Sequence, residues 1–176
     1  MPESVPIESG AISREEMEAA FNAMLLRNKA MLWHICSDYS LGRAWNVEDC
    51  MQEVIFYLWR DYPKFEGRSS EKTWVYRVAT NTMLMLRRKD TKSPVTAPID
   101  QQENNMATDT KDENYIQLLQ LIDHLPEKDG AIIRAYLDGF SYQEIATMNH
   151  STVGAVAMRI ARVKKRLKNM YERETR

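Results

Sequence analysis

The chain has 176 residues, 44% hydrophobic and 28% charged, a composition that excludes fibrous, collagenous and disordered classes and allows one or two small domains. The net charge of −1 hides an asymmetry: residues 93–113 hold one Lys against five acids, whereas the last 18 residues hold eight bases against two. The bulk balance is therefore weak evidence against nucleic acid as a partner.

Residues 1–10 combine acids with prolines, unlike the basic then apolar order of a signal peptide. No run of about 18 apolar residues is present, so nothing is expected to insert in a membrane. Two lone cysteines, Cys36 and Cys50, do not make a disulfide framework, and both fall in apolar-periodic stretches where Cys acts as a small buried hydrophobe. A reducing, cytoplasmic location is expected.

Helical periods dominate the chain. Residues 14–40 repeat apolar groups at Met17, Phe21, Met24, Leu25, Ala30, Met31, Leu32 and Ile35, which predicts one long helix or two short ones. Gly42 and Asn46 interrupt. Val47, Cys50, Met51, Val54, Ile55, Leu58 and Trp59 then mark a clean amphipathic helix, capped by Asn46 and ended by Tyr62-Pro63. Its polar face carries Glu48, Asp49, Gln52, Glu53 and Arg60, read either as a solvated face or as a dock for a basic partner.

A polar loop over residues 63–70 leads into a helix over about 71–89. Trp74, Val75, Val78, Ala79 and Met85 face inward, and Arg77, Asn81 and Arg88 face outward. Aromatic and basic groups alternate here, with Phe65, Trp74 and Tyr76 near Arg68, Lys72, Arg77, Arg87 and Arg88, a pattern suited to single-stranded DNA. Trp74 lies on the apolar stripe and reads as core; Phe65, in a polar loop, is the less explained aromatic. From residue 92 to about 112 prolines, amides and acids replace apolar groups, and this reads as a flexible linker between two domains.

Three or four shorter helices follow. Tyr115, Leu118, Leu119, Ile122 and Leu125 form one stripe. Pro126 suits a first helical position, Ile132, Ile133, Tyr136 and Leu137 point inward, and Gly139 is a natural stop. Ser141-Tyr142-Gln143-Glu144 is a capping box. A turn at Asn149-His150 precedes a final helix over about 152–171, crowded with Arg159, Arg162, Lys164, Lys165, Arg166 and Lys168. This is a helix-turn-helix layout, in which the second helix enters the major groove and basic side chains bind phosphates. The fold class is all-α: two small helical domains, 14–92 and 113–176, joined by the acidic linker 93–112. His34, His124 and His150 are scattered, and no zinc spacing, phosphate loop or nucleophile elbow occurs, so neither catalysis nor a cofactor or metal is expected.

These residues resemble a known family. Asp49-Cys50-Met51-Gln52-Glu53-Val54 with Leu58-Trp59 resembles the polymerase-binding helix of extracytoplasmic function sigma factors, a branch of the sigma-70 family. Lys72-Thr73-Trp74-Val75-Tyr76-Arg77-Val78-Ala79-Thr80-Asn81, ending in Arg87-Arg88, is similar to that family's helix for opening and reading the −10 element. Leu125-Pro126, Gly139-Phe140-Ser141-Tyr142-Gln143-Glu144-Ile145-Ala146, and then Val156, Arg159, Arg162 and Leu167, resemble its −35-binding domain. The three motifs are collinear.

The resemblance implies a factor that directs core RNA polymerase to promoters and initiates transcription. It implies core-polymerase contacts at Asp49, Gln52, Glu53 and Tyr57. It implies −10 contacts, to duplex and to a non-template strand with one base flipped out, at Phe65, Arg68, Ser69, Ser70, Lys72, Arg77, Asn81, Arg87 and Arg88. It implies −35 contacts at Ser141, Thr152, Val153, Ala155, Ala157, Met158, Arg159, Arg162 and Lys165. An anti-sigma factor is a further implied partner. The chain departs from the family at Asn149-His150-Ser151, where a Gly-containing turn is usual, and at Ala155, Ala157 and Met158, where polar groups are common; small apolar side chains can pack on thymine methyls but make no bidentate base contact. The alternative class is an autonomous helix-turn-helix regulator with residues 1–92 as its sensor or dimerisation domain.

Overall fold

The computed structural model describes residues 13–90 and 113–174, and all seven α-helices discussed below lie in these two stretches. The predicted linker falls between them, outside the described residues. α1 (Arg14–Ser40) is one continuous helix, which settles the choice left by its pattern. Ser13 caps it through a reciprocal box with Glu16, satisfying two otherwise orphaned donors. α2 (Val47–Asp61) begins at Asn46, whose side chain accepts from the Glu48 amide at 2.9 Å. Pro63 converts its end into a short 3₁₀ turn over Tyr62–Lys64. α3 (Glu71–Asp90) starts where the Ser70 hydroxyl accepts from the Thr73 amide at 3.1 Å.

These three helices pack around Phe21, Met24, Leu32, Val54, Leu58, Val75, Ala79 and Met83, all buried. Burying each large apolar side chain contributes roughly 1.5–3 kcal/mol. Asn28, buried on α1, donates to the Met24 carbonyl and to Glu71, both at 2.9 Å. Cys36 and Cys50 are free and buried; burial pushes the Cys36 thiol up to about 12 and raises Cys50 as well, so both behave as the small hydrophobes expected.

The C-terminal unit comprises α4 (Glu113–Asp123), α5 (Glu127–Leu137), α6 (Tyr142–Met148) and α7 (Val153–Glu174). Ile122, Ile133, Ile145, Val156, Ile160 and Val163 form its core. Pro126 is the cap of α5 rather than its first residue. Leu137, expected inward, is 43% exposed, because α5 ends there and Gly139, at φ +83°, turns the chain away. Among the described residues no helix is long and apolar enough to cross a membrane.

The two units touch directly, along a seam between α1 and α3 on one side and α4, α5 and α6 on the other. α1 is buried almost all round at its C-terminal end, at Ile35, Cys36, Asp38, Tyr39 and Ser40. Asp38 accepts from the Tyr115 hydroxyl at 2.6 Å, and the Arg134 guanidinium lies 4.6 Å from the Tyr39 ring.

Candidate nucleic-acid and protein interfaces

α2 presents its polar face to solvent because its apolar stripe is spent on the core. Asp49, Gln52 and Glu53 are exposed together. Tyr57, placed with them from sequence, sits apart: its hydroxyl reaches Met85 Sδ at 3.5 Å, and the Arg60 guanidinium covers its ring at 4.5 Å. Phe56 takes the open position instead, 60% exposed and one helical turn from Gln52 and Glu53. The signal was legible, since Phe56 is an apolar residue that falls outside the helix's buried stripe. Asp49 and Glu53 also border a cavity of about 420 Å³ with Trp45, Leu86 and Lys89.

The second surface is a groove of about 1180 Å³ along α3 and the loop before it. Arg68, Ser69, Arg77 and Asn81 line it, with Trp74 as part of its floor. Arg68 pairs with Glu66 at 2.5 Å, both largely exposed, a contact that solvent makes easy to exchange. The Phe65 ring is half-buried and lies 4.8 Å from the Trp74 ring, so it is an aromatic wall already backed by the core. Ser70 spends its hydroxyl on the α3 cap, donating also to Thr73 Oγ1 at 2.8 Å. Thr147, Met148 and His150 of the C-terminal unit line the opposite side of the groove.

The remaining predicted cations of α3 lie elsewhere. Lys72, Arg87 and Arg88 stand on the seam between the units, against Phe140, Asp123 and Glu127. The sequence-predicted −10 set is thus divided between the groove and the seam, where Arg87 is largely covered while Lys72 and Arg88 stay exposed.

The third surface is the start of α7. The α6 capping box is complete, with Ser141 accepting from the Glu144 amide and donating to its carboxylate at 2.7 Å. The Ser141 backbone amide, donating to Glu144 Oε2 at 2.8 Å, and after it the hydroxyl hold the Glu144 carboxyl below its usual range. His150 takes the left-handed conformation at φ +48°, the place a glycine occupies with less strain. Thr152 then starts α7, its hydroxyl accepting from the Ala155 amide at 3.2 Å. Val156, Ile160, Val163 and Leu167 are buried, which turns Ala155, Met158, Arg162 and Lys165 outward on one face. Val153 is also exposed, and Ala157 is half-buried. Arg159 is engaged inside the unit, its Nε 2.7 Å from Asp129. Lys164, one of the basic residues of the final helix but outside the implied −35 set, donates to the Tyr136 hydroxyl at 2.8 Å.

Among the described residues no group of three or more His, Cys, Asp or Glu is gathered as for a metal ion. What the surfaces offer is an acidic helix face with an apolar centre, a basic and aromatic groove, and a helix-turn-helix with an open leading face.

Two models from one family match the chain: Sigma-70 region 2 over residues 24–93 and Sigma-70, region 4 over residues 115–167. The chain is 29% identical over 170 residues to the ECF RNA polymerase sigma-E factor of Escherichia coli (strain K12), covering 88% of each protein. With the factor of the same name from Haemophilus influenzae it shares 28% over 168 residues, covering 87% of this chain and 88% of that one. Among solved structures, the sigma factor RpoE in complex with the anti-sigma factor NepR from Bartonella quintana has a TM-score of 0.61 at 19% identity, covering 87% of this chain and 97% of that one. CnrH in complex with the cytosolic domain of CnrY also reaches 0.61, at 17% identity, covering 88% and 89%. These two share the fold.

Proposed function

Because the chain belongs to the sigma-70 family, as an RNA polymerase sigma factor of the extracytoplasmic function type, we propose a division of labour among its three surfaces. The Asp49, Gln52, Glu53 face of α2 docks on the clamp helices of core polymerase, which a carboxylate-rich surface suits if the partner is basic. The groove at Arg68, Ser69, Arg77 and Asn81 takes the non-template strand of the −10 element and a flipped base, with Phe65 and Trp74 as its aromatic wall. Lys72, Arg87 and Arg88 extend that contact along the separated strand and to the adjoining duplex once the units separate. The leading face of α7 enters the −35 major groove, with Arg162 and Lys165 for phosphates and Ala155 and Met158 for apolar base edges. Residues 14–92 and 113–176 act as the two domains, joined by 93–112. The factor works in the cytoplasm, where core polymerase is.

The observation that carries this reading is collinearity: three exposed polar faces follow one another on α2, α3 and α7, each over its own buried stripe. An anti-sigma factor is a further partner; the solved neighbour from Bartonella quintana is bound to one, which supports the assignment. The rival reading, an autonomous helix-turn-helix regulator, needs residues 1–92 to be a sensor, and the region 2 match covers most of that half.

The test is in vitro transcription and gel shift on a promoter library, with and without core polymerase. Promoter-specific initiation only in the presence of both proteins is the expected result. A shift of duplex promoter by the free chain at physiological salt, unaffected by polymerase, would overturn the proposal.

A further inference from the structure

The seam between the two units is built on three cations that the proposed function gives to promoter DNA. The Arg88 guanidinium forms a fork with both carboxylate oxygens of Glu127, its Nε donating at 2.9 Å. Arg87 Nη1 donates to Asp123 Oδ1 at 2.9 Å, and its side chain is only 20% exposed. The same Asp123 oxygen accepts from Arg134 at 2.7 Å, so it is held in place by a buried cation of its own unit. Lys72 Nζ lies 4.7 Å from the centroid of the Phe140 ring. Beneath these contacts the buried Tyr76 hydroxyl donates to Asp138 at 2.6 Å, while its ring packs on Phe140 with centroids 4.4 Å apart. The hydrogen bond to Arg88 holds the Glu127 carboxyl below its usual range, so Glu127 is anionic at neutral pH.

A carboxylate presented to both arms of a guanidinium reproduces the geometry of a phosphate. We infer that the acidic edge of α4 and α5 is an internal stand-in for promoter phosphates: in the free factor it occupies Arg87 and Arg88 and holds the two units closed, and nucleic acid competes with it for the same two arginines. The inference rests on the assignment of these arginines to DNA.

The magnitudes make the device reversible. Exposed ion pairs such as Arg88–Glu127 contribute little each and are screened by salt. The bond from Tyr76 to the Asp138 carboxylate is shielded and worth more. A closed state held by a few such contacts lowers the apparent affinity for DNA by the fraction of molecules that is open. It also gives an ionic-strength signature: salt weakens the latch as well as the DNA contact, so the wild-type factor loses affinity with salt less steeply than an opened one.

The test uses the full chain and two variants on the seam but outside the DNA and polymerase surfaces. Glu127→Gln removes the anion facing Arg88; Glu127→Gln with Asp138→Ala also leaves the Tyr76 hydroxyl unpaired in the closed state only. Small-angle scattering reads the radius of gyration, and fluorescence anisotropy reads binding of a labelled 20-nucleotide single strand. Glu172→Gln, the same charge change at the far end of α7, is the control, and circular dichroism verifies folding. The double variant should expand and bind the strand about fivefold more tightly at ~50 mM salt, with a smaller gain at ~300 mM. Should the double variant fail to fold, Glu127→Gln alone carries the test, with a gain of about twofold.

Unchanged size and affinity in a folded variant would overturn the latch. Equal gains in Glu172→Gln would also overturn it, since they would reflect net charge alone. Expansion without any gain in strand binding would keep the latch and refute the DNA role of Arg87 and Arg88.

Discussion

Phe56 is the clearest case of one residue whose meaning depends on its neighbours. It projects from α2 between Gln52 and Arg60, 60% exposed, while its helix spends every other large apolar group wholly or partly on the core. An apolar group in a ring of charged ones has the make-up of a binding hot spot. Phe56→Ala should weaken core-polymerase binding by about tenfold, the effect of losing roughly 1.4 kcal/mol of anchoring, measured by titration of labelled factor. Asp49→Asn with Gln52→Ala should also weaken it, with helicity by circular dichroism unchanged; lost helicity would make them structural. Tyr57 is the contrasting residue. Its place in the sequence is beside the acidic face, but Met85 and Arg60 hold it half-buried, and periodicity cannot register a contact from another helix.

At the scale of elements, local chemistry accounts for most of what is seen. Asn46 starts α2 and Ser141 with Glu144 starts α6, each by a bond within three residues in sequence, and Pro63, which has no N–H to donate, ends α2. Ser141→Ala should cost about 1 kcal/mol of stability to the C-terminal unit, read as a lower urea midpoint with an unchanged slope; no loss would mean the box is replaced by water. The turn at Asn149-His150 departs from the usual glycine, yet the backbone still adopts the left-handed conformation at His150. The packing of Ile145 and Ala146 against Val156 and Ile160 sets the turn, and the side chain adapts to it. α7 runs to Glu174, past the end of its apolar stripe, because its last turns are carried by continued backbone bonding rather than by burial.

The whole molecule is held by carboxylates at several scattered points. Glu71 is lowered chiefly by its bond to Arg27, Glu127 by Arg88, Glu144 by Ser141 and Asp61 by Arg60. A carboxyl lowered on folding adds stability that is complete above its unfolded value and lost as pH falls through its folded value. The melting temperature should therefore be flat from about pH 7 to 5 and fall between about pH 5 and 3, measured by circular dichroism. A melting temperature that held constant down to about pH 3 would show that these contacts contribute nothing.

Sequence alone determined the helices, their buried stripes, the helix-turn-helix and the family, because apolar period, caps and collinear motifs are local and repeat along the chain. It also marked the three surfaces, since a polar face is what remains when a stripe is buried. Only the tertiary structure decided where the predicted contacts lie: Arg68, Arg77 and Asn81 in the groove, but Lys72, Arg87 and Arg88 on a seam whose acids lie 36 to 39 residues away for the two arginines. It also tied Arg159 to Asp129 and Tyr76 to Asp138. An ion pair between distant elements has no period and no spacing rule, because it exists only once the packed cores have brought the two side chains together.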